Sequence, residues 1–528
     1  MSESKRESGW SPLRYQAFRR WWLAQLTSNV GSWMQTVAAQ WLMLSLTSSA
    51  VLVGAIQATN LPVLLLAVPA GVFGDLFDRK RLIIAGQLVM LVAAAALGVL
   101  DLAGAVTPVL LLLLLSGIGV GQGLTGPIAQ TLQPELVPPA ERPQAIALGS
   151  VNQNLARAVG PAIGGALLAA TSAAAVFFVN AFSFVAVVVV VALVAVPARV
   201  LTLPREHVGS ATRAGARYVG SSPVLISIMV RAAAFAFFAG GVWALLPLVA
   251  RRTLGLGSGG YGLLLGCVGV GAMLGATFSP AIRRALAPKM LLAVCTLAIA
   301  AAALVLAASH VAVLDGVVLA VAGMGWILAL GLLNASFQSA LPAWVKARGM
   351  AFYTVAFQGA TGIGALALGA VAQAASLNTG LLVLAGGLVV GGAATVRLLL
   401  PRPGEIDVTP AEAMPPLDAG PEGTTGPVLV TVTYDVAPGS EAAFLAQSRR
   451  LRNFRRRTGA FDWRMYEDEA ISRRYLETYL VGSWEEHERQ HARATRRDAA
   501  LLESLDAALV PGTQRLAHHY LAASKVKR

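Results

Sequence analysis

The sequence predicts an all-α polytopic membrane protein of twelve helices in two six-helix halves, followed by a C-terminal α+β domain. Composition is the first reason. Of 528 residues, 56% are hydrophobic and 13% charged, with a mean hydropathy of +0.65. A soluble chain carries roughly 25% charged residues. The placement of charge is the second reason. Residues 1–400 hold 23 Lys+Arg and 9 Asp+Glu, residues 401–426 hold 1 and 5, and residues 427–528 hold 17 and 13. The third is the recurrence, through residues 20–400, of apolar runs near the roughly 20 residues that a spanning helix needs.

The runs place spans at 21–46, 51–74, 82–102, 108–130, 145–169, 173–196, 224–250, 259–281, 289–309, 313–338, 350–374 and 379–400. The net charge of +14 belongs to the loops of this region, so a nucleic-acid partner is not expected. Alternate connections carry Lys5, Arg6, Arg14, Arg19 and Arg20; Arg79, Lys80 and Arg81; Arg142; Arg199, Arg205, Arg213 and Arg217; Arg283, Arg284 and Lys289; Lys346 and Arg348. The other connections hold only Arg251 and Arg252. The positive-inside rule makes the first set cytoplasmic and puts both termini inside the cell. No cleavable signal peptide is expected, because the first apolar run follows Arg19 and Arg20 and is too long for an h-region. Cys267 and Cys295 fall inside spans, which speaks against a disulfide framework or a cysteine metal site.

The halves read as a weak internal repeat. PELVPPAERPQAIALGSVNQN (134–154) and ALPAWVKARGMAFYTVAFQGA (340–360) match Arg142 to Arg348 and Asn152 to Gln358, both at an offset of 206. The expected organisation is a cytoplasmic N-terminal segment (1–20), a first six-helix half (21–196), a central cytoplasmic loop (197–222) and a second half (223–400). A flexible, acidic, Pro-rich linker (401–426) and a cytoplasmic domain (427–528) follow. In the last domain, 428–436, 461–469, 473–483 and 515–522 read as strands, and 440–457 and 485–509 as helices. The order βαββαβ is ferredoxin-like.

Two motifs stand out. GVFGDLFDRKR (71–81) follows the second span and resembles the G-x-x-x-D-x-x-G-R-[KR] signature of the major facilitator superfamily, with Asp78 in a slot usually held by Gly. That resemblance implies a conformational latch at Gly71, Gly74, Asp75, Asp78, Arg79 and Lys80. GPAIGG (160–165) resembles the Gly-Pro motif of exporter branches. Pro161 kinks the helix, and Gly160, Gly164 and Gly165 admit a neighbouring helix. Gly262, Gly266, Gly271 and Gly275 in the eighth span offer a partner surface. FRRWWLAQLTSNVGSWMQTVAAQWLMLSLT (18–47), with both motifs, resembles the enterobactin-exporter and macrolide-efflux group. SWEEHERQHARATRRD (483–498) resembles the C-terminal domain of the transmembrane secretion effector family, a dimeric module of the antibiotic-biosynthesis-monooxygenase shape.

Polar stripes suggest a cavity. Gln25, Asn29, Ser32, Thr36 and Gln40 share one face of the first helix, and such a face points to protein or water rather than lipid. Gln122 and Thr125 of the fourth span share a face, as do Trp326, Asn334 and Gln338 of the tenth. Arg157 and Arg231 lie within spans, where a charge is costly and therefore a functional candidate. The expected substrate cavity is Gln25, Asn29, Ser32, Thr36, Gln122, Arg157, Arg231, Trp326, Asn334 and Gln338.

HERQH (487–491) matches the H-E-x-x-H zinc pattern. Its inner residues are Arg489 and Gln490, no third His follows at metzincin spacing, and its flanks read as a solvated helix face, so no metal is expected. No P-loop, cofactor or catalytic set is evident. The expected function is secondary, proton-coupled export by antiport of a small molecule, a siderophore or antibiotic, across the bacterial plasma membrane, with antibiotic resistance as a possible consequence. The expected partners are the lipid bilayer, the substrate and a second copy bound through the C-terminal domain. The alternative is a transporter whose C-terminal domain is an enzyme of the monooxygenase type, or one used for dimerisation or regulation, the latter preferred. No acidic residue lies mid-span; Asp101, Glu135 and Asp315 sit near helix ends, so the coupling residue stays open.

Overall fold

The computed structural model describes residues 10–59, 78–194, 208–342, 344–411 and 426–521. Its helices in chain order are α1 (Gln16–Leu46), α2 (Ala50–Ala58), α3 (Arg79–Leu102), α4 (Pro108–Glu135), α5 (Arg142–Ala170), α6 (Ala173–Leu193), α7 (Val208–Gly220), α8 (Pro223–Ala239), α9 (Gly241–Leu248), α10 (Ser258–Ala285), α11 (Pro288–Ala308), α12 (Ala312–Ser339), α13 (Lys346–Ala374), α14 (Leu377–Thr395), α15 (Glu441–Thr458), α16 (Trp484–Ala492) and α17 (Arg496–Asp506). The strands are β1 (Val428–Asp435), β2 (Phe461–Glu467), β3 (Arg474–Val481) and β4 (Leu516–Leu521). Two compact units are distinct. One is 1–204, 229–333 and 353–398; the other is 205–228, 334–352 and 399–528.

Among the described residues, nine helices are long and apolar enough to cross a membrane. They are α3, α4, α6, the continuous stretch Pro223–Thr253, α10, α11, α12, Arg348–Ala374 within α13, and α14. Two further long helices, α1 and α5, carry the polar residues that lower their hydropathy. Local chemistry starts many of these helices. Ser49, Asp78, Thr107, Ser172 and Ser376 each accept a backbone N–H of the first turn, satisfying donors that a helix start leaves open. The expected span at 224–250 is one continuous helical stretch, Pro223–Thr253, with two local irregularities. Gly240 separates α8 from α9, and after Pro247 the chain widens into a π turn over Val249–Thr253. Proline withholds an N–H and clashes with the preceding turn, which accounts for the irregularity.

In the first unit α5 packs against both α1 and α10. Methyl groups at Gly160 and Gly164 would come within 2.6 Å of Trp33 Cβ and Met34 Cα. A methyl at Gly165 would lie 2.7 Å from the Gly262 Cα, and one at Gly269 2.5 Å from the Ala158 Cα. The expected partner face on the eighth span is therefore only half right. Gly262 and Gly266 face α5, but Gly271 and Gly275 face Ala320 and Ile327 of α12. The step from Gly266 to Gly271 is five residues rather than four, and that extra residue turns the later pair onto another side of the helix.

In the second unit an antiparallel four-stranded sheet has the order β2-β3-β1-β4. Strict alternation buries Val428, Val430, Val432 and Tyr434 of β1, and Tyr475, Tyr479 and Val481 of β3, against α15 and α17. The second helix of the βαββαβ reading is two helices, α16 and α17. Thr495 and Asp498 form a capping box that starts α17, a reciprocal device that begins a new helix. The linker expectation needs correction. Ala411 donates to the Ala494 carbonyl and Arg496 to the Thr409 carbonyl, both at 2.9 Å. Thr409 to Ala411 are thus held by backbone pairing, and 412–425 lie outside the described residues.

Candidate functional site

The polar face of α1 is divided between structure and site. The Asn29 amide donates to Asn152 Oδ1 of α5 at 2.8 Å. Asn152, nearly fully buried, returns a bond to the Trp22 carbonyl at 2.8 Å, and Trp22 Nε1 donates to the Leu148 carbonyl at 2.8 Å. This ladder locks α1 to α5. Thr36 satisfies itself on the Ser32 carbonyl. Gln25, Ser32 and Thr36 are half-buried. Gln40 is buried; it accepts from the Tyr261 hydroxyl and donates to the Trp243 carbonyl at 3.3 Å.

Arg157 projects from α5 onto α1. Its guanidinium lies 5.5 Å from the Trp33 ring centroid, an arrangement in which the ring face attracts the cation. Its Nη1 is buried and has no hydrogen-bond partner among the described residues. Elsewhere in the first unit, Trp326 of α12 is the hub of an aromatic group. Its ring centroid is 5.7 Å from Phe235, 5.8 Å from Trp243 and 5.8 Å from Phe357.

Other expected site residues fall elsewhere. Arg231 is buried and donates to the Val396 and Leu398 carbonyls, both at 2.7 Å. It closes the C-terminal end of α14, where open carbonyls attract a cation, and so does not join the polar face of α1. Gln122 is exposed, whereas Thr125 is buried and bonds the Gly121 carbonyl, so the two do not act as one face. Asn334 is half-buried and Gln338 exposed on α12.

Of the expected latch, Gly71, Gly74 and Asp75 lie outside the described residues. Asp78 caps α3 through the Arg81 N–H at 3.0 Å, which gives a physical use to the residue that departs from the usual Gly. Arg79 pairs with Glu135 of α4 at 3.0 Å, and Lys80 donates to the Ala192 carbonyl at the end of α6 at 2.6 Å. Three helix ends are therefore tied together by this loop.

At the opposite end of the helices, the segment after α9 meets the end of α1 and the connection to α2, and the start of α2 meets α13. Arg251 donates to the Leu44 carbonyl and Arg252 to the Ser48 carbonyl at 2.8 Å. Ser49 donates to Gln373 at 2.6 Å. Sequence reasoning did not assign these roles. The signal was present, because Arg251 and Arg252 are the two basic residues that break the loop-charge pattern.

The C-terminal domain holds two buried polar groups. Glu477 has no exposed surface; it accepts from Arg455 at 3.0 and 3.2 Å, from the Tyr434 hydroxyl at 2.7 Å and from Trp463 Nε1 at 2.8 Å. Both oxygens are satisfied, as a buried carboxylate requires. The HERQH helix is not the solvated face expected of it. His487 and Gln490 are buried, with His487 bonded to Gln490 at 3.1 Å and to His519 of β4 at 3.0 Å. Burial, with His491 nearby, lowers the His487 pKa to about 4. The same unit joins this domain to α7 and the 344–352 segment. Arg493 lies 4.4 Å from the Trp344 ring centroid, Arg457 lies 5.8 Å from that of Tyr218, and Tyr218 meets Trp344 edge-on at 5.5 Å.

Solved structures share the helical architecture. A bacterial homologue of the lysosomal transporter Spinster matches with a TM-score of 0.59 at 17% identity, over 74% of this chain and 98% of that one. A bacterial homologue of the iron transporter ferroportin matches with a TM-score of 0.56 at 16% identity, over 72% and 98%. The fold is thus the helical architecture that these solved transporters share. The family model described as transmembrane secretion effector matches residues 7–526. The chain belongs to that family, a family of transporters rather than enzymes. Among curated relatives, the staphyloferrin A transporter of Staphylococcus aureus is 28% identical over 157 residues, 29% of this chain and 40% of its own length. The uncharacterized MFS-type transporter YfiS of Bacillus subtilis is 31% identical over 166 residues, 30% and 38%. The matches thus span about 40% of those relatives' lengths.

Proposed function

We propose that this protein is a secondary exporter of a small anionic or amphipathic metabolite, with a carboxylate-bearing siderophore as the leading cargo class. The observation that carries the reading is Arg157. A guanidinium held inside the membrane region against Trp33, with one nitrogen lacking a partner among the described residues, offers a substrate anion both charge and a directed donor. The neighbouring polar residues Gln25, Ser32 and Thr36, and the aromatic group around Trp326, supply the mixed lining that a small-molecule site uses. The relative named for staphyloferrin A supports the cargo class.

In this reading the chain has twelve spans, both termini are cytoplasmic, and the end closed by Arg251 and Arg252 faces outward in the plasma membrane. Transport follows alternating access and draws on the proton gradient. The C-terminal module is ferredoxin-like. Its packing with α7 and Trp344 favours a regulatory role, and the open face carrying Phe461, Leu480, Leu429 and Tyr520 in one cross-strand row is suited to a second copy.

Proteoliposomes with an imposed pH gradient test the proposal. Gradient-dependent movement of staphyloferrin A or another anionic siderophore, lost in Arg157→Gln and partly kept in Arg157→Lys, is the expected result. Flux that is equal in Arg157→Gln, or absent across a panel of siderophores and drugs, would sink it.

A further inference from the structure

Carboxylates in the membrane region are few, and the structure separates them by what each one does. Asp101 accepts the Ala174 N–H at 2.7 Å and so serves the start of α6. Glu135 is paired with Arg79, Glu141 with Arg14 and Tyr15, and Asp78 caps α3. Asp315 has no such employment. It has no exposed surface, and neither of its carboxylate oxygens has a hydrogen-bond partner among the described residues.

Asp315 stands in the first turn of α12, at the end of the helices where Arg251 and Arg252 bond the Leu44 and Ser48 carbonyls. The next residue, Gly316, packs toward the Cys267 sulfur of α10, where an added methyl would sit at 3.3 Å. The titratable group that acts on the Asp315 carboxyl is the exposed His310 on the preceding connection. Ser309 lies beside the carboxyl but short of hydrogen-bond geometry, and its oxygen accepts the Val311 N–H at 3.0 Å. The start of α12 favours an anion, but that effect is small beside the cost of burying an unpaired carboxylate. The neutral acid is the form that fits this setting.

We propose that Asp315 is the proton-loading residue of the transport cycle. Closing the outward end buries this carboxylate, and burial requires that it first bind a proton from the water at that end. One proton adds to one carboxylate oxygen to give the acid; no other bond is made or broken. Opening the end hydrates Asp315 and lets it ionise. The proposal rests on the proton-coupled reading above and supplies the carboxylate that reading needs.

The test uses the full chain in lipid nanodiscs, with Cys267 and Cys295 replaced by Ala and spin labels at Thr171→Cys and Gly257→Cys, both exposed beside the α5–α10 contact. The fraction with the end closed is read as a function of pH. In the parent it should fall with rising pH, by as much as about tenfold per unit above the midpoint, as one proton dictates. Asp315→Asn should remain closed across the range. Asp315→Glu should retain pH dependence with a displaced midpoint, and Asp101→Asn should match the parent. A carboxylic-acid infrared band at neutral pH, missing in Asp315→Asn, is the expected spectroscopic partner. A pH-independent parent, or an Asp315→Asn profile identical to the parent, overturns the proposal. These measurements need no substrate, so a failure of the siderophore reading would leave their outcome intact.

Discussion

Gly165→Ala is the sharpest probe of the closed end. The added methyl would lie 2.7 Å from the Gly262 Cα, 2.9 Å from the Ser258 carbonyl and 3.2 Å from the Gly262 nitrogen. Favourable carbon contacts sit near 3.5–4.0 Å, so α5 and α10 must separate by about 1 Å. All three obstructing atoms are backbone, and no side-chain rotation relieves them. Overpacking of this kind costs about 1–3 kcal/mol, or about 5- to 150-fold in a two-state equilibrium. Only the closed state bears the cost, so the open population should rise by that factor. Double electron–electron resonance between labels at positions 171 and 257 reads the two populations. Gly262→Ala alone should act alike, and the double variant should shift the balance by less than the sum, because the first methyl has already parted the helices. An unchanged distance distribution in Gly165→Ala, or strict additivity of the pair, would refute the contact.

Other outcomes follow from single contacts. Asp78→Ala removes the α3 cap and should cost about 1 kcal/mol, seen as a lower midpoint in thermal unfolding of the detergent-solubilised protein; Asp78→Ser should recover most of it. Glu477→Gln leaves the buried Arg455 without its counter-charge, and should destabilise the C-terminal domain by about 3–5 kcal/mol, measured as faster amide exchange in β1 and β3 of the full chain. His487 has a folded pKa near 4, below its ordinary 6.5. The unfolded state therefore binds more protons in that window. Domain stability should be full above about pH 6.5 and should decline toward about pH 4; amide exchange in α16 should follow that curve, and His487→Asn should flatten it.

The helices were legible where apolar residues run unbroken, because the bilayer demands length and little else. The two long helices outside the nine apolar spans, α1 and α5, are those carrying Gln25, Asn29, Asn152 and Arg157, so the residues that suggest a site also dilute the hydropathy signal. Direction along one helix was readable, but the partner across space was not. Nothing in the spacing of Arg231 pointed to the Val396 and Leu398 carbonyls, more than 160 positions away. Nothing local told Gly271 from Gly262, since both belong to one small-residue series and only the five-residue step separates their faces. The Glu477 cluster was hidden for the same reason: its members come from β1, α15, β2 and β3, and become one group only through sheet register.

The pairing of Thr409–Ala411 with Ala494–Arg496 has an evolutionary corollary. Both flanks of the stretch 412–425 are held by one module, Ala411 at the α16–α17 junction and Val428 in the central strand β1. Both ends of that stretch are therefore positioned by pairings within the module rather than by the stretch's own length. Insertions, deletions and drift within it should accumulate freely across descendants, while Thr409, Pro410 and Ala411 keep their spacing from Pro401, whose carbonyl is held by Ser336.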